Sequence, residues 1–494
     1  MNLQSLVWLR PELCLTAFAC IALVVDLVLR GRDSALVGFF SLLGLVATGV
    51  FLVLQYRDEP PTGPVFGCMA VDRFATLFKL FAVGSLAFVV LFTMLSRRTK
   101  RDGYGEFYFI LLCAGLGAFF LASTYHLLLL YLGLELLSIS SYILAGYAKG
   151  SRKSGEASLK YVVFGAVASG VMLYGFTFLY GLTGTLDLQR IGPALREQFS
   201  ISPVPISIAV ALSLAGFAYK ISAAPFHFWT PDVYEGAPTP VTTFLAVASK
   251  GAGFAALLRF LAAGFVPDPD LGGPEAMLAY RDKLGALVAV LAALTMSLGN
   301  LAALGQTNLK RLLAYSSIAH AGYVLMGVAT MDRDGFSSVL FYLVVYYFMN
   351  LGAFGAVIYF ADTTGDEELE DLRGLGWKAP VVGAAFVTFL VALIGLPPTA
   401  GFPGKWFLFK AAVDKGYLWL AVVAAVNSAI SLFYYFRIAK AMYLRPESDA
   451  KFATVRPAPA FAGLLVLLAA GTLFFGVGFS PLFEYIDYSQ NVLR

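Results

Sequence analysis

The sequence predicts an all-α polytopic membrane protein of about 14 transmembrane helices. Three observations lead there. Of its 494 residues, 59% are hydrophobic and 13% charged, with a mean hydropathy of +0.77, whereas about a quarter of a typical globular chain is charged. Apolar runs of about 20 residues, long enough to cross a bilayer, recur nearly end to end. Two of these runs carry proline and glycine in mid-span.

In chain order, spans fall near 12–30, 35–56 and 69–96, within an N-terminal group over 1–105. The start lacks the basic segment and small-residue cleavage site of a signal peptide, so 13–29 reads as a retained span. A first unit, 106–264, holds spans near 106–123, 126–148, 157–182, 205–234 and 241–264. A second, 284–443, holds 284–304, 308–330, 336–360, 380–414 and 417–443. A last span near 457–478 and a short tail complete the chain over 457–494. The longest polar connections, near 183–203, 265–283 and 362–378, read as loops and leave no room for a sizeable soluble domain.

The seventh and twelfth spans are the broken ones: YKISAAPFHFWTPDVYEGAPTP (219–240) and GLPPTAGFPGKWFLFKAAVDKG (395–416). Both interrupt an apolar helix and restart it with an aromatic half-helix. They lie five spans apart. The spans two places before them echo each other as LELLSISSYILAGY (134–147) and LLAYSSIAHAGYVLMG (312–327). A repeat of five spans turns its second copy upside down in the membrane, so the pattern predicts two inverted five-helix repeats with broken helices 7 and 12. Transporters with such repeats place their sites at the interrupted helices.

Lysine and arginine in short loops set the orientation. The odd-numbered connections carry Arg30, Arg32, Arg97, Arg98, Lys100, Arg101, Lys149, Arg152, Lys153, Lys310, Arg311, Arg437, Lys440, Arg445, Lys451 and Arg456. The even ones hold only Arg57, Arg190, Arg196, Arg281, Lys283, Arg333 and Lys415. The odd loops are therefore expected in the cytoplasm and both termini outside. A net charge of +4 without a basic tract excludes nucleic acid as a partner; the surrounding partner is the lipid bilayer.

Charges inside the spans are the candidate functional groups. Glu135, Lys220, Lys250 and Lys405 sit deep, where each costs at least about 2.5–3.5 kcal/mol on insertion scales. Glu135 is too short to reach the headgroups, and Lys220 and Lys405 flank the breaks. A lysine beside a carboxylate makes a switchable proton donor, and further lysines pass the proton on. His320 lies mid-span and suits a bridging role, because imidazole both donates and accepts. His227 is placed to tune Lys220, and Lys160 opens the sixth span, where it either takes part or snorkels. Lys79 and Asp26 read as snorkelling side chains near span ends. Cys14, Cys20, Cys68 and Cys113 form no CxxC pair and read as small buried hydrophobes; no nucleotide, haem or metal motif is present.

The segments FKLFAVG (78–84), YLGLELLSISSYILAGY (131–147), EASLKYVVFGAVASG (156–170), KISAAPFHFWTPDVYEGAPTPVTTFLAVASK (220–250), LGNLAALGQTNLKRLLAYSSIAHAGYVLMG (298–327), RGLGWKAP (373–380) and GLPPTAGFPGKWFLF (395–409) carry a resemblance. With them the whole chain resembles the antiporter-like membrane subunits of respiratory complex I, the proton-translocating NADH–quinone oxidoreductase. HFWTPDVYEGAPTPV is the most specific block.

The resemblance implies one proton channel, driven by quinone reduction elsewhere in the complex. It implies that Glu135, Lys220, Lys250 and Lys405 are, in turn, the carboxylate partner, the switch lysine, the connecting lysine and the terminal lysine. A lysine at 405 and a short stretch after the last span select the branch that keeps a lysine there and lacks a long lateral helix. It implies no cofactor in this chain: NAD, FMN, iron–sulfur clusters and quinone are bound by partner subunits. The partners implied are neighbouring antiporter-like and small membrane subunits, in the bacterial inner membrane. The second repeat has no carboxylate matching Glu135, so its halves are not expected to work identically. A subunit of a multi-subunit sodium/proton antiporter, a membrane-bound hydrogenase module and a purely structural scaffold are the alternatives.

Overall fold

The computed structural model describes residues 6–29, 34–57, 64–96, 105–201, 203–266, 275–444 and 459–490. Arg30, Arg32, Arg97, Arg98, Lys100, Arg101, Arg445, Lys451 and Arg456, which weigh in the orientation argument, lie outside the described residues. The chain is helical nearly throughout, and twelve of its described helices are long and apolar enough to cross a membrane.

The first six spans are α1 (Arg10–Leu29), α2 (Ser34–Arg57), α3 (Arg73–Leu95), α4 (Gly105–Ser123), α5 (Leu127–Ala145) and α6 (Arg152–Thr183). The polar connection expected after them is instead helix α7 (Leu188–Ile201). Its Leu188, Ile191 and Leu195 recur at helical spacing and are buried. That stripe is short and set among polar residues, which is why the segment reads as loop. Gly192 lets α7 close on the backbone: a Cβ there would stand 3.0 Å from the Ala263 carbonyl oxygen.

The seventh span is two pieces, α8 (Pro203–Lys220) and α9 (Trp229–Gly236). The eighth, α10 (Thr239–Phe265), is wholly buried and contains a π-turn over Leu245–Ser249, immediately before Lys250. Then follow α11 (Glu275–Leu304), α12 (Leu309–Val328), α13 (Arg333–Thr364), the broken pair α14 (Pro380–Ile394) and α15 (Gly401–Asp414), α16 (Leu418–Leu444), α17 (Pro459–Val477) and a short terminal helix α18 (Ser480–Gln490). The buried α10 and α13 form the axis of the bundle, and the apolar side chains left exposed on α1, α2, α6 and α11 suit lipid or neighbouring helices.

Backbone freed at the two breaks must find partners, because no water is on offer in hydrocarbon. At the first break the Ala224 N–H donates to Thr295 Oγ1 at 3.0 Å, and Trp229 Nε1 donates to the Tyr219 carbonyl at 3.2 Å. At the second, the Ala400 N–H donates to the Thr472 carbonyl at 2.9 Å, and Lys405 Nζ donates to the Ile394 carbonyl at 2.8 Å. Gly395 ends α14 in the left-handed region, φ +91°. A Cβ there would also press on Lys405 Cδ at 2.8 Å, so glycine is needed twice over.

Two expectations about charges change. Lys79 does not snorkel: it is 2% exposed and pairs with Glu12 of α1 at 2.5 Å. Asp26 is likewise buried, against the Cα of Gly105. Helices packed side by side give Lys79 a partner nearer than the headgroups, while Asp26 Oδ1 is buried without a hydrogen-bond partner. The cysteines form no disulfide, and Cys20, expected inside, faces outward from α1.

Candidate proton-transfer site

Glu135 and Ser138 lie one helical turn apart on α5, and Lys220 ends α8 facing them. Lys220 Nζ donates to Ser138 Oγ at 3.1 Å. No ion pair within 4.0 Å joins Lys220 to Glu135 among the described residues. Glu135 Oε1 is buried without a hydrogen-bond partner. The ion pair expected from sequence is thus not formed; Lys220 is held instead by Ser138, one turn from Glu135 on the same helix.

The Lys220 stem lies against α10 at Gly253, where a Cβ would stand 3.1 Å from Lys220 Cγ. Lys250 is three residues earlier on the same helix, hence on the same face. Its Nζ donates to Ser317 Oγ at 2.6 Å and to the Ser317 carbonyl at 2.8 Å. Tyr346 donates to the same hydroxyl at 2.9 Å. One turn further along α12, His320 bridges two phenols: Nδ1 to Tyr342 at 2.5 Å and Nε2 to Tyr435 at 3.2 Å. Tyr435 is in turn hydrogen-bonded to Ser316.

Tyr323, again one turn on, stands 5.7 Å ring to ring from His320, and Lys405 Nζ sits 4.4 Å from its centroid. Lys405 also donates to Ser428 Oγ at 3.0 Å. Beyond it, Ser428, Tyr323, Asn300, Asn427, Ser297 and Tyr434 are hydrogen-bonded into one polar cluster. The fold therefore places half-buried Glu135 and buried Lys220, Lys250, His320 and Lys405 in one file from α5 to α16, with no hydrogen bond from Lys220 to Lys250 among the described residues.

Two predicted residues lie elsewhere. Lys160 pairs with Asp232 at 2.6 Å and Glu156 at 2.8 Å, half-exposed at the end of the bundle. Arg311 of α12 ties Asp232 (2.6 Å) and Glu235 (3.1 Å) into the same cluster, so α9 is held to both α6 and α12. His227 occupies the first break, stacked on Phe228; its Nδ1 has no hydrogen-bond partner, and no bond to Lys220 forms. Sequence reasoning missed Ser138, Ser317, Tyr323, Tyr342, Tyr346, Ser428 and Tyr435. Their only sign is a hydroxyl within one helical turn of a deep charge, which Ser138 and Ser317 do give.

Known proteins share the fold and much of the sequence. Residues 124–431 match the family model described as the membrane segment of NADH:quinone oxidoreductase and Mrp antiporters. The chain is 45% identical to NADH-quinone oxidoreductase subunit N of Chlorobium chlorochromatii, covering 98% of this chain and 94% of that one. It is 42% identical to the subunit N of an Anaeromyxobacter species, over 100% and 98%. Among solved structures it is similar to a chain of respiratory complex I from Thermus thermophilus, with a TM-score of 0.79, 35% identity and 96% and 99% coverage. A chain of the Mrp complex from Dietzia shares the fold at a TM-score of 0.83, 22% identity and 100% and 98% coverage. The chain belongs to the NADH:quinone oxidoreductase/Mrp antiporter membrane family. Within that family its relatives at this level of identity are subunit N proteins.

Proposed function

We propose that this chain is the proton-translocating subunit N of an NADH–quinone oxidoreductase. Electrons pass from NADH to quinone in other subunits, and this chain moves protons across the membrane in response. The observation that carries the reading is the file from Glu135 to Lys405, whose side chains, on and between the two broken helices, are able to give and take a proton. Lysine can release its proton when desolvated, and serine, tyrosine and histidine both donate and accept. In this account Lys220 holds its proton while Glu135 is charged and near. A change at Glu135, transmitted from a neighbouring membrane subunit, frees it toward Lys250. Ser317 and His320 hand it to Lys405, and the polar cluster around Asn300 leads it out. Waters complete the gaps.

We read the spans as fourteen, with residues 106–264 and 284–443 as inverted repeats. The inner membrane of a bacterium is the proposed location, with both termini outside. NAD, FMN, iron–sulfur clusters and quinone are assigned to partner subunits. Lys160 is assigned to the charged cluster around Arg311 rather than to the file, and His227 is given no proton-transfer step.

The test is the company the chain keeps. A tagged chain purified in mild detergent is expected to bring down flavin- and iron–sulfur-containing subunits, with NADH–quinone reductase activity. Recovery with other hydrophobic subunits alone and no flavin would assign it to an antiporter. Recovery with a nickel-containing subunit would assign it to a membrane-bound hydrogenase.

A further inference from the structure

Arg259 is the deepest charge that the proton file does not use. It lies on α10 about nine residues beyond Lys250, roughly 14 Å along the helix, and is fully buried. Asp72, the N-cap of α3, takes it in a bidentate grip at 2.8 and 2.9 Å. Arg259 Nε donates to the Ala122 carbonyl at 2.8 Å, and the Ala75 N–H donates to Asp72 Oδ1 at 2.6 Å. The guanidinium lies between the rings of Phe74 and Tyr125, at 4.8 and 4.7 Å. Phe254, Leu258 and Phe260 on the same stretch of α10 are buried, and Phe260 packs on Phe176 of α6 and Phe217 of α8, at 6.1 and 5.2 Å between ring centroids.

The opposite end of the same half is different. There a cavity of about 280 Å³ opens among Lys153, Glu235, Lys310 and Glu367. One end of residues 106–264 is charged and hollow, and at the other a buried ion pair is packed against aromatic rings.

We infer that the Asp72–Arg259 pair is a proton-insulating plug, closing residues 106–264 at the end of even-numbered loops so that protons leave only through the half containing Lys405. A guanidinium does not release its proton, unlike the lysines of the file. The Asp72 carboxylate already accepts from two guanidinium nitrogens and from the Ala75 N–H, so both its oxygens are engaged. A fixed, buried arginine also repels a hydrated proton, as in water-selective pores. A bridge between α3 and α10 for folding alone would not require a group that cannot titrate. The inference rests on the proposed exit through Lys405.

The test uses the assembled complex in inverted membrane vesicles, with Asp72→Asn and, separately, Arg259→Lys. A proton gradient is built with NADH, and its decay is followed once NADH is exhausted, beside quinone reduction and the amount of assembled complex. Quinone reduction is expected within about twofold of the parent, with decay at least about threefold faster, because each variant puts an exchangeable or unsaturated group at the seal. The double change Asp72→Leu/Arg259→Met, which is non-titratable and packed, is expected to restore the parental decay. Parental decay in an assembled single variant overturns the plug, and so does a leak that persists in the double variant. If Asp72→Asn fails to assemble, Arg259→Lys decides. Failure of both to assemble makes the pair a folding lock and also overturns the plug. A wrong lysine path would show instead as undiminished driven pumping in Lys220→Ala, with the passive leak unaffected.

Discussion

Gly395→Ala isolates the contact that places Lys405. Two effects arise at this position. Alanine in the left-handed region costs about 1–2 kcal/mol, and Gly395 has φ +91°. The new Cβ would also stand 2.8 Å from Lys405 Cδ. A flexible stem gives way there, and its amine leaves the Ile394 carbonyl (2.8 Å), Ser428 Oγ (3.0 Å) and the Tyr323 ring (4.4 Å). A hydrogen bond to a charged group is worth about 1.5–3 kcal/mol, so losing one is tenfold or more in the population of the placed amine. Gly416 supplies the control, since it has the same φ of +91° and a Cβ added there would meet nothing within 4 Å. Both variants are expected to lose similar thermal stability in detergent. Only Gly395→Ala is expected to lose NADH-driven proton uptake in inverted vesicles, by about tenfold or more, at equal complex content. Equal pumping in the two variants would refute a positioned Lys405.

Ser138→Ala removes the hydroxyl that holds Lys220 Nζ, at 3.1 Å. We expect about a tenfold or greater loss of coupled quinone reduction and proton uptake, with normal assembly, and partial recovery with Thr. Lys79→Met leaves Glu12 buried and unpaired, and is expected to destabilise the complex by about 3–5 kcal/mol, read as a lowered melting temperature. Adding Glu12→Leu is expected to recover most of that loss, since a packed apolar pair replaces a buried ion pair at little cost. Arg311→Gln unties Asp232 and Glu235 from α12. It is expected to raise proteolysis or hydrogen exchange at 229–236 before it affects the rest of the chain.

Much of the fold is legible in the sequence because the bilayer enforces one rule, an unbroken apolar helix of fixed length. α1, α2, α4 and α5 begin and end within a few residues of their apolar runs. The breaks at Pro225 and Gly395 are legible for the same reason, as exceptions to that rule. So are Lys220, Lys250 and Lys405, since charge in hydrocarbon needs a reason. What stays hidden depends on which helices meet. Glu12 and Lys79 are far apart in sequence and each lies near a span end, so neither looks costly until α1 packs on α3. Arg259 hides likewise, because its partner Asp72 stands at the mouth of another helix. Helix α7 hides because its three buried apolar residues are outnumbered by polar ones, so the segment lacks the continuous apolar run that marks the spans.

The central claim is that Lys220 is the switch of the proton path. Its direct test is Lys220→Ala in inverted membrane vesicles, recording NADH-driven quinone reduction and proton uptake together, with assembled complex quantified. The account predicts full assembly with both rates falling together by about tenfold or more. Both rates at the parental level in an assembled complex would contradict it.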